Sequence, residues 1–131
     1  MATIERFEDI KAWQLARDLC KQINGYTLYT IFSKDFKLIG QIKGSSGSVM
    51  DNIAEGFERG GNKEFVQFLS FSKGSTGEVK SQLYRDLDNK YISQTEFDNA
   101  YSKADEISKM IGGLMSYLSK SDIKGPKFKR E

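Results

Sequence analysis

"QIKGSSGSVMDNIAEGFERGG", residues Gln41 to Gly61, decides the fold, because its composition and its periodicity point in opposite directions. Glycine and serine crowd the first half, as in a loop. The apolar residues nevertheless keep helical time: Ile39, Ile42, Ser46, Val49, Ile53 and Phe57 follow one another at steps of three, four, three, four and four, the spacing of one helix face. The period predicts a helix from about Asp35 to Phe57, stopped by the turn chemistry of Gly60-Gly61.

Three more segments carry the same signal. Ile10, Trp13, Ala16, Cys20 and Ile23 share a face opposite Lys11, Gln14, Asp18 and Lys21, and this first helix ends at Asn24-Gly25 or runs on to Tyr29. A third helix starts near Asn62, taken as its N-cap, and sets Phe65, Leu69, Ser72, Thr76, Val79 and Leu83 on a seam of alternating four and three, a heptad pattern. The fourth opens on Ser93 and Glu96, a capping box, and carries Phe97, Tyr101, Ala104, Ile111, Met115 and Leu118. No segment alternates apolar and polar residues as a half-buried strand does. The expected fold is all-α: long helices on short connections, hence an up-and-down antiparallel four-helix bundle over residues 1–120. Residues 121–131 are expected to be a flexible basic tail.

The chain of 131 residues carries a formal charge of +2 and no histidine. The excess is local: eight basic against eight acidic residues in 1–60, the same in 61–120, and four against two in 121–131. A neutral body argues against strong nonspecific nucleic-acid binding by one subunit. The start, "MATIERFEDIK", has charges where a secretory signal needs an apolar run, and no apolar run has membrane length, so a cytoplasmic protein with no membrane partner is expected.

Eight glycines fall inside the expected helices: Gly40, Gly44, Gly47, Gly56, Gly74, Gly77, Gly112 and Gly113. Each costs about 1 kcal/mol relative to alanine in an exposed helix interior. Together that approaches the roughly 5 to 15 kcal/mol that stabilises a whole domain. Close approach of another backbone is the natural compensation. Beside them runs a polar ridge, Gln41, Ser45, Ser48, Asn52, Glu55 and Arg59, and the third helix repeats it with Gln67, Phe71, Gly74, Glu78, Ser81 and Arg85. From these stripes the expected oligomer interface comprises Gln41, Ser45, Ser48, Asn52, Glu55, Arg59, Phe71, Gly74 and Glu78. Lys43, Arg59, Lys63, Lys73 and Arg85 are the candidates for nucleic-acid contact.

Catalytic chemistry finds little purchase. Without histidine the usual general base and metal ligand are missing. Cys20, the single cysteine, reads as a small core residue. "GFERGGNK" nearly spells a P-loop, yet Asn62 stands where lysine must reach the phosphates, and no strand precedes it. Glu55 and Arg59 read as an i, i+4 ion pair before anything catalytic. The chain is expected to be no enzyme and to take no cofactor, metal or small-molecule substrate.

"FEDIKAWQLA" at Phe7 to Ala16, "QIKGSSGSVMDNIAEG" with Arg59, and "EFVQFLSFSKGSTGEVKSQL" at Glu64 to Leu83 resemble the four-helix-bundle proteins encoded in intervening sequences of bacterial 23S rRNA genes. The resemblance covers about Phe7 to Leu118, with Asn52 to Gly56, Gly74-Ser75 and Glu78 as its most specific part. It implies a homopentameric ring and a nucleic-acid role. A related branch assists a retroelement reverse transcriptase, so an adaptor docking onto such an enzyme, without nucleic-acid affinity of its own, is the alternative. The chain departs from the family pattern at Gly44 and Gly60, where basic residues are common, and at Met50, in place of a helix-kinking proline. Two fewer cations per subunit weaken attraction to phosphate, and the absent proline predicts a straighter second helix.

Overall fold

The structure, a computed structural model, describes residues 4–120; the basic segment 121–131 lies outside them. Four α-helices and no strand occur among the described residues: α1 (Lys11–Tyr26), α2 (Phe36–Arg59), α3 (Asn62–Asp88) and α4 (Gln94–Lys120), with short 3-10 turns at Phe7–Asp9 and Phe32–Lys34. None of the helices is long and apolar enough to cross a membrane.

Cross-helix contacts fix the topology. Gln41 meets Arg85, Ser48 meets Ser75 and Arg59 meets Phe68, so α2 and α3 are antiparallel. Lys80 reaches Asp105, while Tyr84 packs on Phe97, so α3 and α4 are antiparallel too. Tyr26 at the end of α1 donates to the Glu96 carbonyl at the start of α4. Each helix therefore lies beside its sequence neighbours, and α1 closes the bundle against α4.

Local chemistry explains the ends. The Asp35 carboxylate accepts from the Leu38 amide at 3.0 Å and starts α2. Gly60, at φ 93°, stops it in the left-handed region that glycine occupies most easily. Ser93 and Glu96 cap α4 reciprocally, at 3.1 and 2.8 Å. The expectation for α3 needs correction: Asn62 lies inside the helix, and Gly61 holds the N-cap position with no side-chain cap.

The α3 seam is buried at every expected position, Phe65 to Leu83, and continues one step further to Asp86. On α1 the expected face is rotated: Ala12, Ala16, Leu19, Ile23 and Tyr26 are buried, while Trp13 and Cys20 flank them half-buried. On α4 the buried face runs through Ala100 and Ile107 as well, with Tyr101 and Met115 at its edge. Alanine at Ala12 and Ala100 lets neighbouring helices sit close, and the bulkier side chains fill the gaps at the rim.

The serines that make α2 look like a loop are satisfied within helices. Ser45 Oγ donates to the Gln41 carbonyl at 3.0 Å and Ser46 Oγ to that of Lys43 at 3.3 Å. Such back-bonding lets serine sit in a helix with its polar group paired. Ser72, fully buried, instead crosses to α2 and donates to the Val49 carbonyl at 2.6 Å. Ser72→Ala should cost about 1 kcal/mol, the net worth of one such bond, read as a shift in the urea midpoint with unchanged slope. α2 is a single helix of 24 residues through Met50.

Candidate functional site

The α2 stripe meets α3 along the outer side of the α2–α3 pair, through Arg85 of the α3 stripe and through Ser75 beside it. Ser75 Oγ donates to Ser48 Oγ at 3.0 Å, and Asn52 Nδ2 donates to both the Ser48 carbonyl and its hydroxyl, at 2.9 and 2.8 Å. Near one end, Arg85 Nη1 donates to Gln41 Oε1 at 3.0 Å. At the other, Arg59 pairs with Glu55 at 2.9 Å and stands 4.9 Å over the Phe68 ring. This seam is an ordered polar ladder rather than a set of independent solvated side chains.

Between its rails lies a shallow groove of about 440 Å³, lined by Gly40, Gln41, Gly44, Ser45, Ser48, Glu78, Gln82 and Arg85. The groove thus gathers four of the expected interface residues, Gln41, Ser45, Ser48 and Glu78. Asn52, Glu55 and Arg59 continue the ladder beyond it, and Phe71 and Gly74 stand exposed on α3. Phe71 keeps about half of its surface in solvent while packing edge-on against Phe68 at 5.6 Å. Gln82 was not among the expected residues; it flanks the α3 stripe by one position, which is the signal that marks it.

The glycines within α2 and α3 separate into two kinds. A Cβ on Gly56 would lie 2.6 Å from Phe68 Cβ and 3.1 Å from Phe65 Cδ1, so this glycine is required by α3. A Cβ on Gly40, Gly44, Gly47, Gly74 or Gly77 would meet nothing within 4 Å. Inside the chain these five are open, and no packing compensates their helical cost.

The candidate cations do not form one patch. Lys43 and Arg59 are sixteen residues apart on α2, about 24 Å along the axis. Lys63 sits at the α2–α3 corner, while Lys73 faces α4, near Gly112. Arg59 and Arg85 are engaged in the ladder. No group of three His, Cys, Asp or Glu able to hold a metal occurs among the described residues. The Cys20 thiol donates to the Ser46 carbonyl at 3.1 Å, and burial pushes its pKa up, which disfavours the reactive thiolate.

A polar cluster that periodicity alone did not disclose ties α3 to α4. Lys80 pairs with Asp105 at 2.8 Å, beside Lys109 at 3.2 Å, and lies 5.1 Å over the Tyr101 ring. A second is Asp86, whose carboxyl is fully buried and has no hydrogen-bond partner among the described residues. Burial pushes its pKa up to about 7, against the pull of Arg85.

The model of the 23S rRNA-intervening sequence protein family matches residues 8–113. Among solved structures, the chain is similar to a protein of unknown function from the S23 ribosomal protein family of Bacteroides thetaiotaomicron, at 20% identity and a TM-score of 0.73, over 79% of this chain and 97% of the other. At that identity the likeness speaks for the fold alone. No curated protein matches the chain.

Proposed function

Because the chain belongs to the 23S rRNA-intervening sequence protein family, we propose that it is a non-enzymatic assembly subunit whose copies associate through the outer faces of α2 and α3. One observation carries this reading: Gly40, Gly44, Gly47, Gly74 and Gly77 lie in long helices where a side chain would be free, yet carry none. A glycine left open by its own fold is favoured where a second backbone comes close. The ordered ladder beside them offers a partner fixed hydrogen-bonding groups, and Phe71 an apolar anchor. The resemblance sets the expected stoichiometry at five.

The protein should sediment as an oligomer at micromolar concentration. Gly47→Leu should lower the association constant by tenfold or more while leaving helical circular dichroism unchanged. A monomeric parent, or a variant with undiminished association, would contradict the proposal.

Nucleic-acid binding is assigned to the assembly rather than to the subunit. Lys43, Lys63 and Lys73 are exposed and outside every ion pair formed among the described residues. Repetition around an assembly would multiply an attraction that is weak in one copy. Binding of this kind falls steeply with added salt, and salt-insensitive binding would refute it.

A further inference from the structure

The connection between α1 and α2, residues 27–35, is fastened at two points to the α3–α4 turn and the start of α4, which lie at the same end of the bundle. Phe32, fully buried, stacks on Tyr91 at 4.8 Å, and the Tyr91 hydroxyl donates to Asp35 at 2.8 Å. The Tyr29 hydroxyl donates to Glu96 at 2.6 Å. The Tyr91 amide, in turn, donates to the Asp86 carbonyl at 2.9 Å, so the clasp is built directly on the residue that ends the α3 core seam. That residue places a carboxyl where the heptad calls for an apolar side chain, with neither oxygen paired among the described residues.

We propose that Asp86 is a proton-operated latch: neutral, it lets the α1–α2 connection close over the bundle end, and ionised, it drives that connection to open locally and admit water. A buried carboxylate without donors is strongly disfavoured, and Asp35, at the start of α2, adds like charge nearby. The other ionisable groups facing Asp86 are Arg85 on its own helix, which favours the charged form, and the Tyr91 phenol in the α3–α4 turn.

The fastening groups do not change charge near neutrality. Hydrogen bonds from the Leu38 amide and Tyr91 hold Asp35 below its ordinary range, and those from Ser93 and Tyr29 do the same for Glu96. The bond to Glu96 pushes Tyr29 to about 12, the bond to Asp35 raises Tyr91, and burial raises Tyr26. Asp86 is the member of this cluster left to respond. An opened connection exposes it to water, where aspartate titrates near 3.9, so rising pH favours opening by linkage.

The test is native-state hydrogen exchange of the Ser33, Asp35 and Tyr91 amides, which donate to Tyr29, Phe32 and Asp86. After correction for intrinsic exchange, the opening equilibrium should rise roughly tenfold or more between pH 5.5 and 8.5, and the rise should vanish in Asp86→Asn. Equal opening at both pH values would overturn the proposal. So would a carbon-13 titration of the wild-type Asp86 carboxyl with an ordinary midpoint near 4, a measurement that decides the matter even if the variant does not fold. Both readouts are independent of subunit association.

Discussion

Gly56→Ala should destabilise the bundle by about 2 to 3 kcal/mol, in the range of overpacked cores. The same change at Gly44 should stabilise the dissociated chain by about 1 kcal/mol. The opposite signs follow from one geometric difference. At Gly56 the added methyl would lie 2.6 Å from Phe68 Cβ, an atom fixed to the α3 backbone, so relief requires α2 and α3 to part. At Gly44 the methyl meets open space and contributes only its helix propensity. Chemical denaturation below the association concentration measures both. A neutral Gly56→Ala would show that the α2–α3 contact is slack, and a destabilising Gly44→Ala would show that the chain itself uses that surface.

The second large effect is a dependence on pH. The Asp86 carboxyl is raised to about 7 in the fold, above the value near 3.9 of an unfolded aspartate. The folded state therefore holds this proton more tightly. Its contribution is complete below pH 4, is lost progressively as pH rises, and reaches its floor above about pH 7. Asp86→Asn should match the parent near pH 4 and exceed it near pH 8 by up to about 4 kcal/mol, the equivalent of some three pKa units. Opening of the α1–α2 connection limits the difference to whatever opening itself costs. Denaturant midpoints of both proteins across this range give the result directly, and parallel curves would refute it.

The fold was legible where side-chain type and position agree. On α3 the alternation of four and three names every seam residue up to Leu83, because each is apolar or a small hydroxyl. It stops one step short at Asp86, where the spacing continues and only the chemistry changes, so a reading that follows hydrophobicity ends too soon. On α1, Trp13 and Cys20 outrank Ala12 in apolar character, although alanine lies at the centre of the contact and the larger residues at its rim. The α2 and α3 stripes could be read from spacing, but not their meeting in one ladder, which depends on how the two helices are paired. The glycines set a sharper limit. Gly44 and Gly56 are alike as letters and equally expensive in a helix, and only the position of α3 reveals that one is occupied from within and the other is not.

Gly60 shapes what surface charge this protein can acquire. Directly after Arg59 the backbone has φ 93° and ψ −13°. Any side chain would have to enter a conformation that disfavours L-residues by about 1 kcal/mol or more. The abrupt reversal that brings α3 back along α2 thus disfavours a cationic side chain beside Arg59 at the tip of the hairpin, and a positive charge is added more easily at a helical surface position than at this corner.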